Sequence, residues 1–186
     1  MTGFTRHRRS GAAVTTFTAF EADLLRSLAG QLIELLRNES ATIETDADAD
    51  SLEDLLDFSG PTLEPEDPVL ARLFPTAYPE DEEAAAEFRR FTEDTLAGNK
   101  IRNALAVAGS LDGADPSAGS LEVTLDAPAV QAWLRCLTDI RLTVAARLGI
   151  EVDGDEGADD DESLMLREVY DWLGFVQGSL IEALES

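Results

Sequence analysis

Asp126 to Ile150 reads D-A-P-A-V-Q-A-W-L-R-C-L-T-D-I-R-L-T-V-A-A-R-L-G-I, and this stretch decides the fold. Val130, Trp133, Leu137, Ile140, Val144 and Leu148 recur at steps of three and four, which places them on one stripe of a helix roughly 33 Å long. Asp126 stands where a side chain caps the first turn. Pro128 lies inside that turn, where its missing N–H costs nothing, and Gly149 follows the last periodic residue as a C′ glycine does. Other elements have to cover so continuous a stripe. The stretch predicts a central helix and carries no chemistry.

Working outward, Thr18-Ala19-Phe20-Glu21 has the form of a capping box. Behind it Phe20, Leu24, Leu25, Leu28, Leu32, Leu35 and Leu36 form a wide apolar arc, so the spacing predicts a buried first helix running to about Asn38. At the other end Met165, Val169, Trp172, Leu173, Val176, Leu180 and Leu184 share an arc of a last helix, the natural cover for the central one. Trp133 and Trp172 are expected in the core, each with a partner for its indole N–H. Asp67-Pro68 opens a short helix ended by Pro75, and Pro79 with the four acids Glu80 to Glu83 opens another. Ala84, Phe88, Phe91 and Thr95 share a face there. The apolar set rotates past Gly98, which predicts two helices, 80–97 and 99–110.

Phe4 to Arg8 and Ala13 to Phe17 flank Ser10-Gly11 as the arms of a β-hairpin, and Leu121 to Leu125 alternates as a strand does. An isolated strand needs a partner, which the hairpin supplies. The expected fold is mainly α: one compact helical domain over 1–186, with about five or six helices and a small antiparallel β element made of the N-terminal hairpin and the strand near 121–125. Residues 39–50 and 151–162 are acidic, poor in large apolar side chains, and read as flexible linkers.

Composition narrows the class of partner. The net charge is −24, and a surface this acidic repels nucleic acid and anionic lipid, whose affinity for proteins rests on neutralising phosphates. The acidity also has a plain reading as a solubility device. No run of about 18 apolar residues is present to span a bilayer, and the opening residues lack the apolar core of a secretion signal, so the protein is expected in the cytoplasm. Alanine-rich sequence with thirteen Arg and one Lys has the look of a GC-rich genome.

No constellation for catalysis stands out. The sole histidine, His7, lies in an Arg-rich turn, and neither a nucleophile elbow nor a phosphate-binding glycine loop occurs. Asp153 to Gly157 fails the calcium-loop count, because glycine falls at position 5 and position 12 is Leu164. No cofactor and no metal are expected. An enzyme working through surface carboxylates would need a concave pocket where acids converge.

Three features are candidates for function, each beside a plainer reading. Arg6, Arg8 and Arg9 precede every acidic residue; they either pair with the chain's own acids or form a positive spot for an acidic partner. Leu52, Leu55, Leu56 and Phe58 sit in an acidic amphipathic stretch, either a local helix on the core or a docking motif. Cys136 is the sole cysteine, either a small hydrophobe or a redox-active thiol near Arg135 or Arg147.

Four segments carry a family resemblance: F-E-A-D-L-L-R-S-L-A-G-Q-L-I-E-L-L at 20–36, E-F-R-R-F-T-E-D-T-L at 87–96, A-W-L-R-C-L-T-D-I-R-L-T-V-A-A-R-L-G-I at 132–150 and L-R-E-V-Y-D-W-L-G-F-V-Q-G-S-L-I-E-A-L at 166–184. Together with the hairpin they resemble an actinobacterial family of AosR-like oxidative-stress transcriptional regulators, long catalogued as a domain of unknown function. The resemblance implies a non-enzymatic cytoplasmic regulator that contacts a sigma factor or another transcription component, with a redox switch associated with a C-x-x-x-C pair. This chain departs from that pattern: Ala132 and Ile140 flank Cys136 at the two partner positions, so an internal disulfide cannot form. The rival reading is an acidic adaptor or docking module for a proteolysis system, with residues 39–66 as bait. Neither reading fixes an oligomeric state.

Overall fold

The computed structural model describes residues 1–46, 67–78, 80–112, 119–152, 155 and 160–185. Its elements run β1 (Thr5–Arg6), β2 (Ala13–Thr18), α1 (Ala19–Asp46), α2 (Pro68–Leu73), α3 (Glu82–Ser110), β3 (Ser120–Leu125), α4 (Ala127–Leu148) and α5 (Asp161–Glu185). The mainly helical fold with a small antiparallel sheet is as the sequence predicts.

The strands form one sheet in the order β1-β2-β3, antiparallel throughout. Ala13 faces Leu125, Thr15 faces Val123 and Phe17 faces Leu121. Along β2 the alternation turns Ala13, Thr15 and Phe17 inward, because side chains on a strand change face at every residue. The hairpin closes through His7 N–H to the Ala12 carbonyl and Gly11 N–H to the His7 carbonyl, both 2.8 Å. Gly11 there takes φ of 71°, a left-handed value that glycine adopts at no steric cost.

α4 is the hub: it packs against all four other helices and β3. Its ends are built as the sequence reads. Asp126 accepts from Ala129 N–H at 2.9 Å, and Gly149 at φ 69° turns the chain out while Ile150 N–H bonds back to the Ala145 carbonyl at 2.9 Å. All six stripe residues are buried. Trp133 lies at the bottom of the sheet, stacked on Phe17 with centroids 5.9 Å apart and edge-on to Phe4 at 5.8 Å. Its indole N–H donates to Ser110 Oγ at 2.9 Å. The capping box forms too: Glu21 Oε2 accepts from Thr18 N–H at 2.8 Å, and Glu21 N–H donates to Thr18 Oγ1 at 3.2 Å.

Five expectations are corrected. α1 continues to Asp46 instead of ending near Asn38, since Glu39, Ala41 and Glu44 keep helical propensity after the apolar arc has ended. α3 is one helix through Gly98; a mid-helix glycine costs only about 1 kcal/mol, which packing against α1 and α4 outweighs. The buried face of α3 runs through Ala85, Arg89, Glu93, Ala97, Ala104 and Val107, leaving Phe88 exposed. Small residues there let α3 approach its neighbours, so shape rather than hydrophobicity chose the face. Phe20 and Met165 point to solvent at 75% and 72% exposure; each stands within the first five residues of its helix. Trp172 is half-buried, and its indole N–H has no partner among the described residues.

Candidate functional site

The cationic hairpin tip follows from the turn at Ser10-Gly11. β1 is only two residues long, so Arg6 leaves the sheet at once and Arg8 and Arg9 lie in the loop. All three are exposed. The Arg6 guanidinium lies over the turn, 3.8 Å from where a Cβ on Gly11 would stand. His7 Nδ1 stands 3.0 Å from Ser10 Oγ and accepts from Ser10 N–H at 3.4 Å, which fixes the loop that presents the arginines. Residues 5–9 and Val14 line a shallow concavity of about 540 Å³. Among the described residues, no carboxylate pairs with Arg6, Arg8 or Arg9. The chain's own acids in those segments therefore do not neutralise the cluster.

Leu52, Leu55, Leu56 and Phe58 lie outside the described residues, as do 47–50 of the first acidic stretch.

Cys136 is fully buried on the inner side of α4. Burial, and after it the negative charge of Asp139, pushes its thiol up to about 12. A reactive thiol needs the opposite environment, an exposed sulfur beside a cation that favours thiolate. Arg135 and Arg147 are both exposed, away from the buried thiol. The folded protein should accordingly resist iodoacetamide, with Cys136 modified only in denaturant; mass spectrometry showing stoichiometric labelling under native conditions would contradict this placement.

A second charged region joins α3 to α4. Lys100, the chain's one lysine, donates to Asp139 Oδ1 at 2.6 Å. Their side chains are 18% and 7% exposed. Burial raises the Asp139 carboxyl and Lys100 partly holds it down, with a net upward shift. One turn deeper, Thr143 Oγ1 donates to the Asp139 carbonyl at 3.0 Å. The other side of Lys100 faces a groove of about 400 Å³ between the end of α2 and the first half of α3. Arg89 and Glu93 form a second pair on its wall at 3.8 Å, and Arg89 donates to Thr76 Oγ1 at 3.4 Å. Among the described residues of the lining Glu93 is the single carboxylate, so these residues bring no converging acids of the glycosidase kind together.

These four residues were not singled out from the sequence. The available signals were Asp139 as an acid within an apolar stripe, which demands a buried partner, and the i, i+4 spacing of Arg89 and Glu93. Neither points to Lys100, which is 39 residues from Asp139.

Among the described residues, no group of three or more metal-ligating side chains gathers, and no helix is long and apolar enough to cross a membrane.

Comparison with known proteins adds what the geometry lacks. The oxidative stress regulator AosR of Mycobacterium tuberculosis is 31% identical over 180 residues, covering 88% of this chain and 78% of the relative. The protein of the same name in Mycobacterium bovis matches equally. No solved structure matches. A family model matches residues 1–184, and the chain therefore belongs to the DUF2017 family, described as a domain of unknown function.

Proposed function

We propose that this chain is a non-enzymatic cytoplasmic regulator of the oxidative-stress response. It acts through contact with a protein, a sigma factor or another transcription component, and the hairpin arginines are part of the contact surface. The observation that carries the reading is the exposed Arg6, Arg8 and Arg9 cluster, which has no acidic partner among the described residues of a chain with net charge −24. Like charges repel such a protein from DNA at long range, whereas a local cationic spot attracts a compact acidic segment of another protein. The name borne by its relatives supports the regulatory part. A redox input through an internal disulfide is ruled out by the single cysteine, so the stress signal reaches this chain through its partner or through another device.

The test is affinity capture. Tagged protein incubated with an actinobacterial lysate should recover an RNA polymerase subunit or a sigma factor, identified by mass spectrometry. Recovery of no transcription component would refute the proposal.

A further inference from the structure

The groove between α2 and α3 has no role in the contact proposed above, and its construction is that of a ligand site. Its volume of about 400 Å³ falls within the range of small-molecule pockets, about 300–1,000 Å³. Leu73, Phe74, Pro75, Ala85, Phe88 and Leu96 give it apolar walls. Exposed large apolar side chains collect at its mouth: Phe88 is 41% and Leu96 42% exposed, and Tyr78, 49% exposed, meets Phe88 edge to face at 5.8 Å. Leaving three such side chains in water around one opening marks a surface that something else covers.

The polar side chains among the described residues of the lining are Thr76, Thr92, Arg89, Glu93 and Lys100. Of these the ionisable ones are Arg89, Lys100 and Glu93; Arg89 pairs with Glu93 and Lys100 with Asp139 behind the wall, so the spare donors of Lys100, not a net charge, mark the groove for an anion. Arg89 is 91% buried, reading 9% exposure against the whole, and so is held in place rather than free to sweep solvent. Lys100 is anchored from behind by Asp139. That is its one hydrogen bond among the described residues, and an ammonium has three donors, so two remain for the groove side. The Phe74 ring lies 5.9 Å from Nζ, which joins an apolar wall to the cation.

We propose that this groove binds a small amphipathic carboxylate. Its aromatic or aliphatic body lies against Phe74, Phe88 and Leu96, and its carboxylate accepts from Lys100. A cationic ligand would set a like charge against Lys100, and a neutral acceptor would bond to it without the added strength of an ionised acceptor.

The probe is 2-naphthoate, titrated into the whole protein and followed by two-dimensional amide NMR. Saturable shifts should be confined to residues 73–77 and 85–100. Naphthalene-2-methanol, the same body without the charge, should bind about fivefold more weakly. Leu96 is exposed enough that replacing it leaves the fold intact, so Leu96→Glu should weaken naphthoate and Leu96→Lys tighten it, each about fivefold, the effect of roughly 1 kcal/mol from one charge near another at a wet surface. The proposal is overturned by an absence of saturable shifts, by shifts at the hairpin tip or elsewhere, by equal affinity for the alcohol, or by Leu96→Glu and Leu96→Lys binding alike.

Discussion

Replacing Trp133 with alanine should cost about 4 kcal/mol of stability, the largest loss from any single substitution in this fold. The side chain is 0% exposed, and truncating a buried Trp removes both its transfer free energy and the contacts lining the cavity left behind, about 3–5 kcal/mol in all. Two aromatic contacts go with it, the stacked Phe17 and the edge-on Phe4, each worth about 0.5–1.5 kcal/mol beyond area. The lost hydrogen bond adds little, because Ser110 Oγ still donates to the Val107 carbonyl at 2.8 Å. Sheet, α3 and α4 meet at this indole, so little can collapse into the space. Urea unfolding followed by circular dichroism should show a lower midpoint with an unchanged slope, and the melting temperature should fall by about 10 °C. A loss below about 1 kcal/mol would mean that Trp133 does not join these layers.

Breaking the Lys100–Asp139 pair from one side should be nearly as damaging, and removing both partners should not be. Asp139→Ala leaves the ammonium, 18% exposed and 2.6 Å from where the carboxylate stood, without a counter-charge, at a cost of about 3 kcal/mol. The double variant Lys100→Met, Asp139→Leu swaps the pair for apolar side chains of similar volume and should lie within about 1 kcal/mol of the parent or above it. Burial raises the Asp139 carboxyl while the short hydrogen bond to Lys100 pulls it down, so the desolvation of the two charges offsets much of their attraction. A double-mutant cycle measures the coupling. A double variant destabilised as much as Asp139→Ala would show that the pair stabilises the fold outright, and additive losses would show that the two charges are not coupled; either result contradicts this placement.

What the sequence revealed follows the range of the forces involved. The α4 caps, the capping box at Thr18 and Glu21 and the hairpin turn are fixed by residues three to five apart, and each was legible. Helix ends and breaks were less so, because propensity is weak against packing: Gly98 did not split α3, and α1 outran its apolar arc. The face of α3 was misjudged for a third reason. Its apolar periodicity is carried by aromatic residues, yet small Ala85, Ala97 and Ala104 are the buried ones while Phe88 stands at the groove mouth. For function, the arginines at the hairpin were readable as residue types. Their lack of acidic neighbours among the described residues required coordinates, and the Lys100 floor of the groove was invisible because its partner lies on another helix.

The hairpin tip is where the account meets its most direct measurement: capture of a sigma factor or RNA polymerase subunit by the parent protein, by a variant with Arg6, Arg8 and Arg9 changed to glutamate, and by Arg147→Glu as an exposed cation elsewhere on the surface. Parental recovery is expected with Arg147→Glu and a loss of at least about tenfold with the hairpin variant, with all three proteins unfolding at the same temperature, since reversing three charges at a contact costs more than about 1.4 kcal/mol. Equal recovery by the parent and the hairpin variant would contradict it.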